Sequence, residues 1–592
     1  MANAMQPPWL YHKHILSNIW FLRGQRNFSD GTSRPRQQAE KIAVIGGGIT
    51  GLTAAYYASK RYPSASISLF EGSSRLGGVI ETAYVPLGKG TGVICEKGPR
   101  TLRANAPRAP VTYDLIHTLG LRDNLITVSK QCPTGSTRYI LYPDHLVPIP
   151  VFSPTPVSRH IAAIPAPSTL QARQLFKLLR ILATEPLFSG LLSSLLRSVT
   201  FSIPRPSGIH DESIGSFLAR RFGHRLVDNL ASAIMNGLYA GDIYRLSAKT
   251  LLPGLWELET RAEQERKSQD GFLRLNTTRG KHCQTDSEGL SNVSLAFQSR
   301  CREEDLIARL GRGPAGELET SLRDASVFSF KRGLQELPSA LEDALRKVRN
   351  VHLHTESSVE KIRRCDGGLV VSISGQTKTT TQLFTHVVAT IPYNYVLSAA
   401  SLENPPMATA SVMLVTLCFV TPFLNHPHRG FGYLIPNSVP ANQNPEHALG
   451  VIFDSDAMPD QDQDVPCTKI TVVLGGHWWD GRSVASLPTE AEGVRMARQL
   501  LQRHLGITED PIASVVTLRR DAIPQYEVGH CKKMARFHGL LLERFAGRLR
   551  VAGASYRGIG VHDCVFSALN VIEGLDVEGL TGLECFVDDE RA

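Results

Sequence analysis

Three glycines near the start of the chain have the spacing of a phosphate-binding turn. Gly46, Gly48 and Gly51 fit the pattern G-x-G-x-x-G, which follows an apolar run at residues 41–45 and opens a predicted helix at 51–60. The first glycine permits a tight turn, the second lets a pyrophosphate approach the backbone, and the third lets the helix pack closely on the strand. Because a helix N-terminus stabilises negative charge, this turn predicts a dinucleotide site.

A carboxylate and an arginine follow the second predicted strand. Glu71 stands directly after the run at residues 67–70 and twenty residues after Gly51, where a ribose hydroxyl of a dinucleotide must be held. Arg75 and a glycine pair come next, and they suit a second cradle for the pyrophosphate, with a charged donor and an accessible backbone. The pairing is frequent in flavin-dependent amine oxidases and favours FAD over the alternative cofactor, NAD.

Small residues recur at a predicted strand end about 500 residues further along the chain. Ala554, Gly558 and Gly560 lie between a predicted strand at residues 549–552 and a predicted helix at 563–575. Such a turn can direct backbone amides at the pyrimidine oxygens of a flavin, and the helix dipole stabilises negative charge on the reduced ring. The alternative is an ordinary strand-to-helix turn; its density of small residues, beside the N-terminal motif, favours the flavin site.

The elements that must position these turns predict an α/β fold. The strand, glycine turn, helix and second strand at residues 41–70 form one βαβ unit, so the chain opens with a Rossmann-like half. A chain of 592 residues is too long for one core, so two or three domains are expected. Residues 150–260 are helical in pattern, whereas residues 262–320 are hydrophilic and rich in turns and predict a surface insertion, partly disordered.

A leucine-rich stretch at residues 175–196 leaves two interpretations open. Lys177, Arg180 and Glu185 interrupt it, so it falls short of the roughly 18 unbroken apolar residues that a spanning helix needs. It is either a helix in the core of a bundle or a helix that lies in the membrane interface. The sequence does not separate the two.

The N-terminus has the composition of a mitochondrial presequence. No acidic residue precedes Asp30, and Lys13, Arg23 and Arg26 are interleaved with large apolar residues. A matrix-peptidase site with cleavage after Phe28 fits this stretch, and the alternative is a basic disordered tail.

Charge and cysteine spacing narrow the remaining classes of function. The net charge of +9 is compatible with an anionic membrane surface, an acidic partner or a substrate that carries carboxylates. No dense basic stripe interleaved with aromatic residues is present, so nucleic acid is not an expected partner. The ten cysteines include no Cys-x-x-Cys pair, so no metal site is predicted.

Further motifs carry a specific resemblance. The chain is similar, from about residue 40 to its end except for 262–320, to the oxygen-dependent mitochondrial protoporphyrinogen oxidases of the flavin amine oxidase-like superfamily. The segments that carry the similarity are 211–217, 220–223, 237–242, 246–247, 523–530, 552–556 and 563–564.

This resemblance implies a set of site residues. The cofactor contacts carry over to the two glycine turns and to four places between them, namely Gly46, Gly47, Gly48, Ile49, Thr50, Gly51, Glu71, Gly72, Val79, Gly98, Pro99, Arg100, Thr101, Val359, Ala554, Ile559, Gly560 and Val561. The substrate cavity carries over to Arg138, Phe431, Leu434 and Val473. A tetrapyrrole with two propionates needs a flat apolar slot with a guanidinium at one end. Bulkier side chains are common at the position of Val473, so this residue departs from the pattern.

The predicted architecture is a Rossmann-like FAD-binding domain with a mixed-sheet substrate domain and a helical membrane-binding domain that holds part of the substrate cavity. The predicted boundaries are a presequence and linker at 1–38, FAD-binding parts at 39–110, 326–395 and 523–592, the helical domain at 111–261, a polar insertion at 262–325 and the substrate domain at 396–522.

The resemblance also implies an activity. It is the six-electron oxidation of protoporphyrinogen IX to protoporphyrin IX, the penultimate step of haem biosynthesis, with non-covalent FAD and with three dioxygen reduced to three hydrogen peroxide. No paired-carboxylate or Ser/His/Asp constellation is present, so no catalytic side chain is nominated. The expected location is the mitochondrial inner membrane, peripheral or monotopic, with ferrochelatase and a second copy of the chain as candidate partners. The alternatives are a flavin amine oxidase and a catalytically silent flavoprotein partner of haem-pathway enzymes.

Overall fold

The structure is a computed structural model that describes residues 40–88, 91–149, 180–182, 184–191, 205–206, 208–261, 294–375, 378–462 and 465–590. The predicted presequence and linker at 1–38, the first part of the predicted insertion at 262–293, and half of the leucine-rich stretch at 175–196 lie outside these residues. Among the described residues, no helix is long and apolar enough to cross a membrane.

The strands follow the chain in twenty short segments over the described residues. They are β1 (Lys41–Ile45), β2 (Ser66–Phe70), β3 (Thr82–Gly88), β4 (Thr91–Glu96), β5 (Leu102–Arg103), β6 (Leu125–Ser129), β7 (Tyr139–Leu141), β8 (Leu146–Pro148), β9 (Ala325–Phe330), β10 (Val351–His354), β11 (Ser358–Cys365), β12 (Gly368–Ser374), β13 (Thr379–Phe384), β14 (His386–Ala389), β15 (Thr409–Phe419), β16 (Gly432–Leu434), β17 (Ala448–Phe453), β18 (Thr468–Gly475), β19 (Ala513–Pro524) and β20 (Leu549–Val551).

The helices of the same residues are distributed between these strands. They are α1 (Ile49–Arg61), α2 (Ala109–Thr118), α3 (Pro133–Ser136), α4 (Ile214–Phe222), α5 (His224–Leu226), α6 (Ser232–Tyr239), α7 (Ala248–Leu251), α8 (Leu295–Leu310), α9 (Pro314–Ser321), α10 (Glu336–Arg346), α11 (Tyr393–Ala400), α12 (Asp454–Ala457), α13 (Glu490–Leu505), α14 (His530–Phe545) and α15 (Val561–Glu573). A π-helical turn at Val227–Ala231 joins α5 to α6.

A five-stranded parallel sheet gathers strands from distant parts of the chain, in the order β10-β2-β1-β14-β20. Its strands are apolar on both faces, as expected for a parallel sheet with both faces covered. In β1, Ile42 and Val44 point to a core that includes α1, α10 and α15, whereas Ala43 and Ile45 point to a core with the β11–β12–β13 sheet and α14. The predicted α/β fold with a Rossmann-like half is confirmed.

The second large sheet is mixed and has seven strands, in the order β19-β15-β18-β17-β16-β7-β8. Tyr433, Val472 and Met413 on one face pack against Leu500 and Leu501 of α13. The opposite face meets α6 through the cluster that includes Ala240 and Val473. Because β7 and β8 join this sheet, the region predicted as a helical domain at 111–261 also supplies strands.

The predicted polar insertion at 262–325 needs a correction for its described part. Residues 295–321 form the helices α8 and α9, and β9 begins at Ala325. The buried residues of α8 are Ala296, Ser299, Glu303 and Leu306, spaced three or four residues apart as one helical face requires. Two of these four are polar, so the hydrophobic periodicity that reveals a buried helix is hidden in the sequence. The segment 294–325 is therefore part of the folded body, while the predicted domain boundaries stay predictions.

Two buried histidines make the stability of the fold depend on pH. Burial lowers the pKa of His530 and of His562 to about 4, against their hydrogen bonds to the carbonyl oxygens of Tyr556 and Arg103. Since the folded pKa lies below the unfolded value, the unfolded chain binds more protons between pH 4 and the unfolded pKa of about 6.5. The contribution of the two neutral histidines to the free energy of unfolding is fully present above this window and is lost as the pH falls through it.

We expect the free energy of unfolding to fall by up to about 3 kcal/mol per buried histidine between pH 6.5 and pH 4. His530→Gln should flatten the slope of unfolding free energy against pH in this window by the equivalent of one proton. Denaturant titrations at a series of pH values measure it. The same change at the exposed His117 is the control and should leave the slope unchanged. Equal slopes for His530→Gln and the unsubstituted chain would contradict the prediction.

Candidate functional site

The predicted phosphate turn lies at the end of β1. Gly46 has a φ of 104°, and a Cβ on Gly51 would lie 1.8 Å from the carbonyl oxygen of Gly46, so both positions require glycine. Thr390 supports the turn by donating to the carbonyl of Gly46 at 3.2 Å. No side chain caps the N-terminus of α1 at Gly48, and its first turn holds no acidic residue. The backbone N–H groups and the positive end of the helix dipole are therefore available to an anion.

Glu71 lies beside this turn, as predicted. One oxygen of its carboxylate accepts from the backbone N–H of Gly47 at 2.7 Å, and the other accepts from the N–H and the hydroxyl of Ser73 at 2.8 Å. Gly72, the next residue, faces Ser358 at the start of β11, where a Cβ would have 3.7 Å to the Cβ of Ser358. Val359 follows Ser358, so the structure brings together Glu71, Gly72 and Val359 at one side of the turn.

Arg75 contacts the backbone of the turn in which it lies. Its guanidinium donates to the carbonyl oxygens of Leu76 at 2.9 Å and Ile80 at 3.3 Å, and also to that of Gly78. It forms an ion pair with Glu81 at 3.5 Å. These contacts hold the shape of the turn, and the predicted role of Arg75 toward a pyrophosphate stays a prediction. That turn lies against Gly48, since a Cβ on Gly78 would have 3.0 Å to the Cα of Gly48.

The segment at residues 98–101 connects the first sheet to the second. A Cβ on Gly98 would lie 2.1 Å from the carbonyl of Val79, so these two predicted cofactor residues are in direct contact. Pro99 and Thr101 are half-buried on either side of Arg100. The buried guanidinium of Arg100 forms an ion pair with Asp454 at 3.2 Å, at the start of α12.

The third predicted element is the turn between β20 and α15. Gly553 has a φ of 113°, and its N–H donates to Ser567 at 3.0 Å. Ala554 and Ile559 lie in the turn, and α15 begins at Val561. Gly560, the N-cap, has no side-chain cap, so a second helix N-terminus is open to a ligand. Because β1, β14 and β20 are parallel neighbours, α1 and α15 both begin at the same edge of the sheet.

Tyr526 is a site residue that sequence reasoning missed. Its buried hydroxyl accepts from the N–H of Gly558 at 2.8 Å and donates to the carbonyl of Ala554. Its ring stacks on His530, with centroids 4.3 Å apart. Tyr526 belongs to the motif at 523–530 that carried the family resemblance, which was the available signal. Its contact with a loop about thirty residues away could not be inferred from spacing.

Arg138 and Phe431 lie together at one end of the seven-stranded sheet. The guanidinium of Arg138 is over the ring of Phe431, 5.1 Å from its centroid, and donates to the carbonyl of Gly135 at 3.0 Å. Burial, together with the nearby Arg103, lowers the pKa of Arg138. Within the described residues Arg138 has no salt bridge to a carboxylate of this chain. A half-buried cation in this position suits an incoming carboxylate.

Leu434 and Val473 lie in one row across the sheet. The strand register places Leu434 opposite Gly450, and Gly450 opposite Val473, which in turn faces Leu414. The three apolar side chains of this row are half-buried, whereas their neighbours on the other face are buried. Gly450 leaves room for the side chain of Leu434, since a Cβ on Gly450 would lie 3.3 Å from Cδ2 of Leu434. The row is a half-buried apolar strip on one face of the sheet, and we call it the floor.

The helix α6 and the end of β19 connect this floor to the flavin turn. A Cβ on Gly237 of α6 would lie 2.5 Å from Cδ2 of Leu434, so the helix covers one end of the floor. Gln525, next to Tyr526, donates to the carbonyl of Tyr239 at 2.9 Å. Ile523 packs in the cluster that contains Val473. The four predicted substrate residues therefore lie on one sheet whose last strand leads to the β20–α15 turn.

Comparisons with known proteins give the family of the chain. The family model described as flavin containing amine oxidoreductase matches residues 49–571. Protoporphyrinogen oxidase of Schizosaccharomyces pombe is 32% identical over 538 residues, which cover 89% of this chain and 96% of the relative. The human protoporphyrinogen oxidase is 29% identical, with 89% and 96% covered. A crystal structure of a candidate protoporphyrinogen oxidase from Exiguobacterium sp. 255-15 has a TM-score of 0.62 at 22% identity, covering 91% of this chain and 98% of that one, and shows the fold.

Tyr526→Phe should weaken flavin binding without removing the fold. The change leaves the half-buried N–H of Gly558 and carbonyl of Ala554 without their partner, at a cost of about 1 kcal/mol for each group. We expect the dissociation constant of FAD to rise about tenfold or more, measured by flavin fluorescence on titration of the apoprotein. Tyr395→Phe, at a largely exposed tyrosine, is the control. Normal FAD affinity in a destabilised Tyr526→Phe chain would show that the hydroxyl supports only the fold.

Proposed function

The chain belongs to the family of flavin-containing amine oxidoreductases, and from that premise we propose that it oxidises protoporphyrinogen IX to protoporphyrin IX with dioxygen as the acceptor. The 32% identity to a protoporphyrinogen oxidase over 89% of the chain supports this substrate. The oxidation removes six electrons and six protons in three rounds. Three dioxygen molecules accept them and leave as three hydrogen peroxide.

The cofactor is FAD, as the sequence predicted. Two uncapped helix N-termini at one sheet edge suit a diphosphate and a flavin ring. Gly48 and Gly78 face each other across the two turns, and a side chain on either residue would narrow the space beside their backbones. The two glycines therefore suit the close approach of a ligand to the backbone. When bound, FAD supplies the acceptor for hydride and the site at which dioxygen is reduced. The residues of the chain supply binding, orientation and exclusion of water.

The observation that carries the proposed substrate is the half-buried apolar row of Leu434, Val473 and Leu414 with Arg138 and Phe431 at one end of the same sheet. A flat, largely apolar tetrapyrrole would lie on this row, and Arg138 would pair with a propionate. The described residues supply no side chain that must act as a general base. We therefore assign binding and orientation to the side chains, and no catalytic side chain.

Two other functions explain the site less well. Many flavin amine oxidases tether FAD through a Ser-Gly-Gly-Cys-type segment, which this sequence lacks. Cys531 is buried, and burial raises the pKa of the buried Cys564 to about 12, so neither is suited to a thiolate tether. A catalytically silent flavoprotein would have no need of the apolar row beside the flavin turn.

The proposal extends to the location and the partners of the protein. The presequence-like composition of the first 28 residues supports import into mitochondria, and the product, a hydrophobic porphyrin, suits the surface of the inner membrane. We propose that the chain attaches to this membrane peripherally or as a monotopic protein. Ferrochelatase and a second copy of the chain stay predictions, since no described contact bears on them.

The proposed function is tested on the purified chain with protoporphyrinogen IX under air. We expect three dioxygen consumed and three peroxide formed per protoporphyrin, measured by an oxygen electrode, a peroxide assay and porphyrin fluorescence. Acid precipitation should leave the yellow flavin in the supernatant, because the cofactor is not covalent. A chain that binds FAD, oxidises an amine and leaves the porphyrinogen unchanged would be an amine oxidase. Flavin without any oxidase activity would indicate the silent partner, and flavin in the pellet would contradict non-covalent binding.

Arg138→Ala should weaken productive binding of the substrate. A charge-assisted pair to a propionate is worth roughly 1.5–3 kcal/mol, so KM should rise or kcat/KM fall by about one to two orders of magnitude. Flavin content should stay near normal, because Arg138 lies at the substrate end of the sheet. Steady-state kinetics and the ratio of flavin to protein absorbance measure the two effects.

Arg100→Ala is the contrasting variant. It leaves Asp454 buried without its cation and releases the segment that carries Gly98 and Thr101. FAD occupancy and thermal stability should therefore fall together with activity. Wild-type kinetics in Arg138→Ala, or loss of flavin from it as from Arg100→Ala, would show that the substrate assignment of Arg138 is wrong.

A further inference from the structure

The helix α8 carries a buried carboxylate next to the flavin turn. Glu303 and Arg557 form a bidentate ion pair, in which Nη2 of Arg557 donates to Oε2 of Glu303 at 2.9 Å and Nη1 donates to Oε1. The carboxylate also accepts from the hydroxyl of Ser299 at 3.4 Å. Glu303 is only 9% exposed. Arg557 directly precedes the segment of Gly558, Ile559 and Gly560 that leads into α15.

A second arginine holds the same turn from the same side. Arg108, at the start of α2, donates to the carbonyl of Arg557 at 2.9 Å and to the carboxylate of Asp563 at 2.8 Å. Its other guanidinium nitrogen lies 4.0 Å from Glu303. Asp563 is in the first turn of α15, and a Cβ on Gly558 would lie 2.5 Å from its Cγ. The turn therefore packs directly against Asp563 and has no side chain of its own at that point.

The hydroxyl of Tyr526 is a third contact to this turn, because it accepts a hydrogen bond from the N–H of Gly558. The residues 557 and 558 are thus fixed by a carboxylate on α8, a guanidinium on α2 and a phenol at the end of β19. These three contacts come from elements that are far apart in the sequence. The glycines of the turn cannot fix its position by side-chain packing, so these contacts must do it.

We propose that Glu303 is a positioning residue for the cofactor, which acts by holding Arg557 and so sets where the amides of residues 559 and 560 meet the flavin. This inference rests on the proposed function, because it requires FAD at the β20–α15 turn. It assigns a role to α8, which the sequence had indicated as part of a polar insertion. Glu303 does not touch the flavin; its effect passes through Arg557.

Glu303→Gln is the variant that tests the proposal, with Glu304→Gln as the matched control. Glu304 is the next residue on the same helix and is exposed, so the identical chemical change there should leave every property unchanged. In Glu303→Gln, we expect the dissociation constant of FAD to rise at least tenfold. We also expect the visible absorption bands of bound flavin to shift or change shape, because its hydrogen-bonding partners move. Both are measured on the full-length chain, by fluorescence titration of apoprotein and by absorption at saturating FAD.

A purely structural role would give a different pattern. A buried Arg557 without its carboxylate destabilises the fold in any case, so stability alone does not decide. The double variant Glu303→Leu, Arg557→Met removes both charges and should recover much of the thermal stability of the apoprotein. If the pair positions the turn, FAD affinity and the flavin spectrum stay abnormal in the double variant. If they return to wild-type values with the stability, or if Glu303→Gln binds FAD as the unsubstituted chain does, the proposal is wrong.

The failure of this inference is distinguishable from failure of the proposed function. If the unsubstituted chain binds no FAD, or binds it and oxidises no porphyrinogen, the proposed function fails. If the unsubstituted chain binds FAD and turns over, and the two glutamine variants are indistinguishable from it in affinity and spectrum, only the role of Glu303 fails.

Discussion

The parallel pairing of β1 with β14, and of β14 with β20, brings two strands about 500 residues apart in the sequence to one edge of a sheet. The register sets Ile45 opposite Ala389 and Ala389 opposite Val551, so the three strands end together. Parallel strands direct their carboxyl ends the same way, and the helices that follow begin at that edge. The two uncapped helix N-termini that suit FAD are therefore a product of this register. A shift of one residue in β20 would move the turn at Gly553 away from Thr50 and Thr390, which it now contacts.

The second sheet must be held at a fixed position against the first, and buried ion pairs do this at their junction. Arg100, in the segment 98–101, pairs with Asp454 at the start of α12, and Lys469 of β18 donates to the carbonyl of Ile94 in β4 and to Asp462, at 2.5 Å each. Buried pairs gain little net stability because desolvation offsets the attraction. Their geometry is nevertheless exacting, since each charge must meet its partner. We infer that they fix the distance between the flavin turn and the substrate floor more than they stabilise the fold.

Local features of the site could be predicted from the sequence, and features that depend on tertiary contacts could not. The turn at Gly46 and the place of Glu71 follow from short-range rules of backbone geometry. The bonds from Arg75 to the carbonyls of its own turn depend on how that turn folds, and its place next to a glycine pair in the sequence did not indicate them. The floor row required the registers of β16, β17 and β18, which no spacing rule gives. The helix α8 escaped detection because Ser299 and Glu303 occupy its buried face.

Ser299 and Glu303, the polar residues on the buried face of α8, also indicate what this helix does. A flavin-facing turn made of small residues lets the backbone approach the cofactor closely, but it cannot hold itself in place by packing. Its position must come from hydrogen bonds to its backbone and from the side chain that flanks it. Tyr526, Arg108 and the Glu303–Arg557 pair supply these contacts. A carboxylate on the buried face of a helix must be desolvated, so an apolar residue at the same position would stabilise the fold more. The carboxylate of Glu303 is explained if α8 serves to position Arg557 rather than to stabilise the fold.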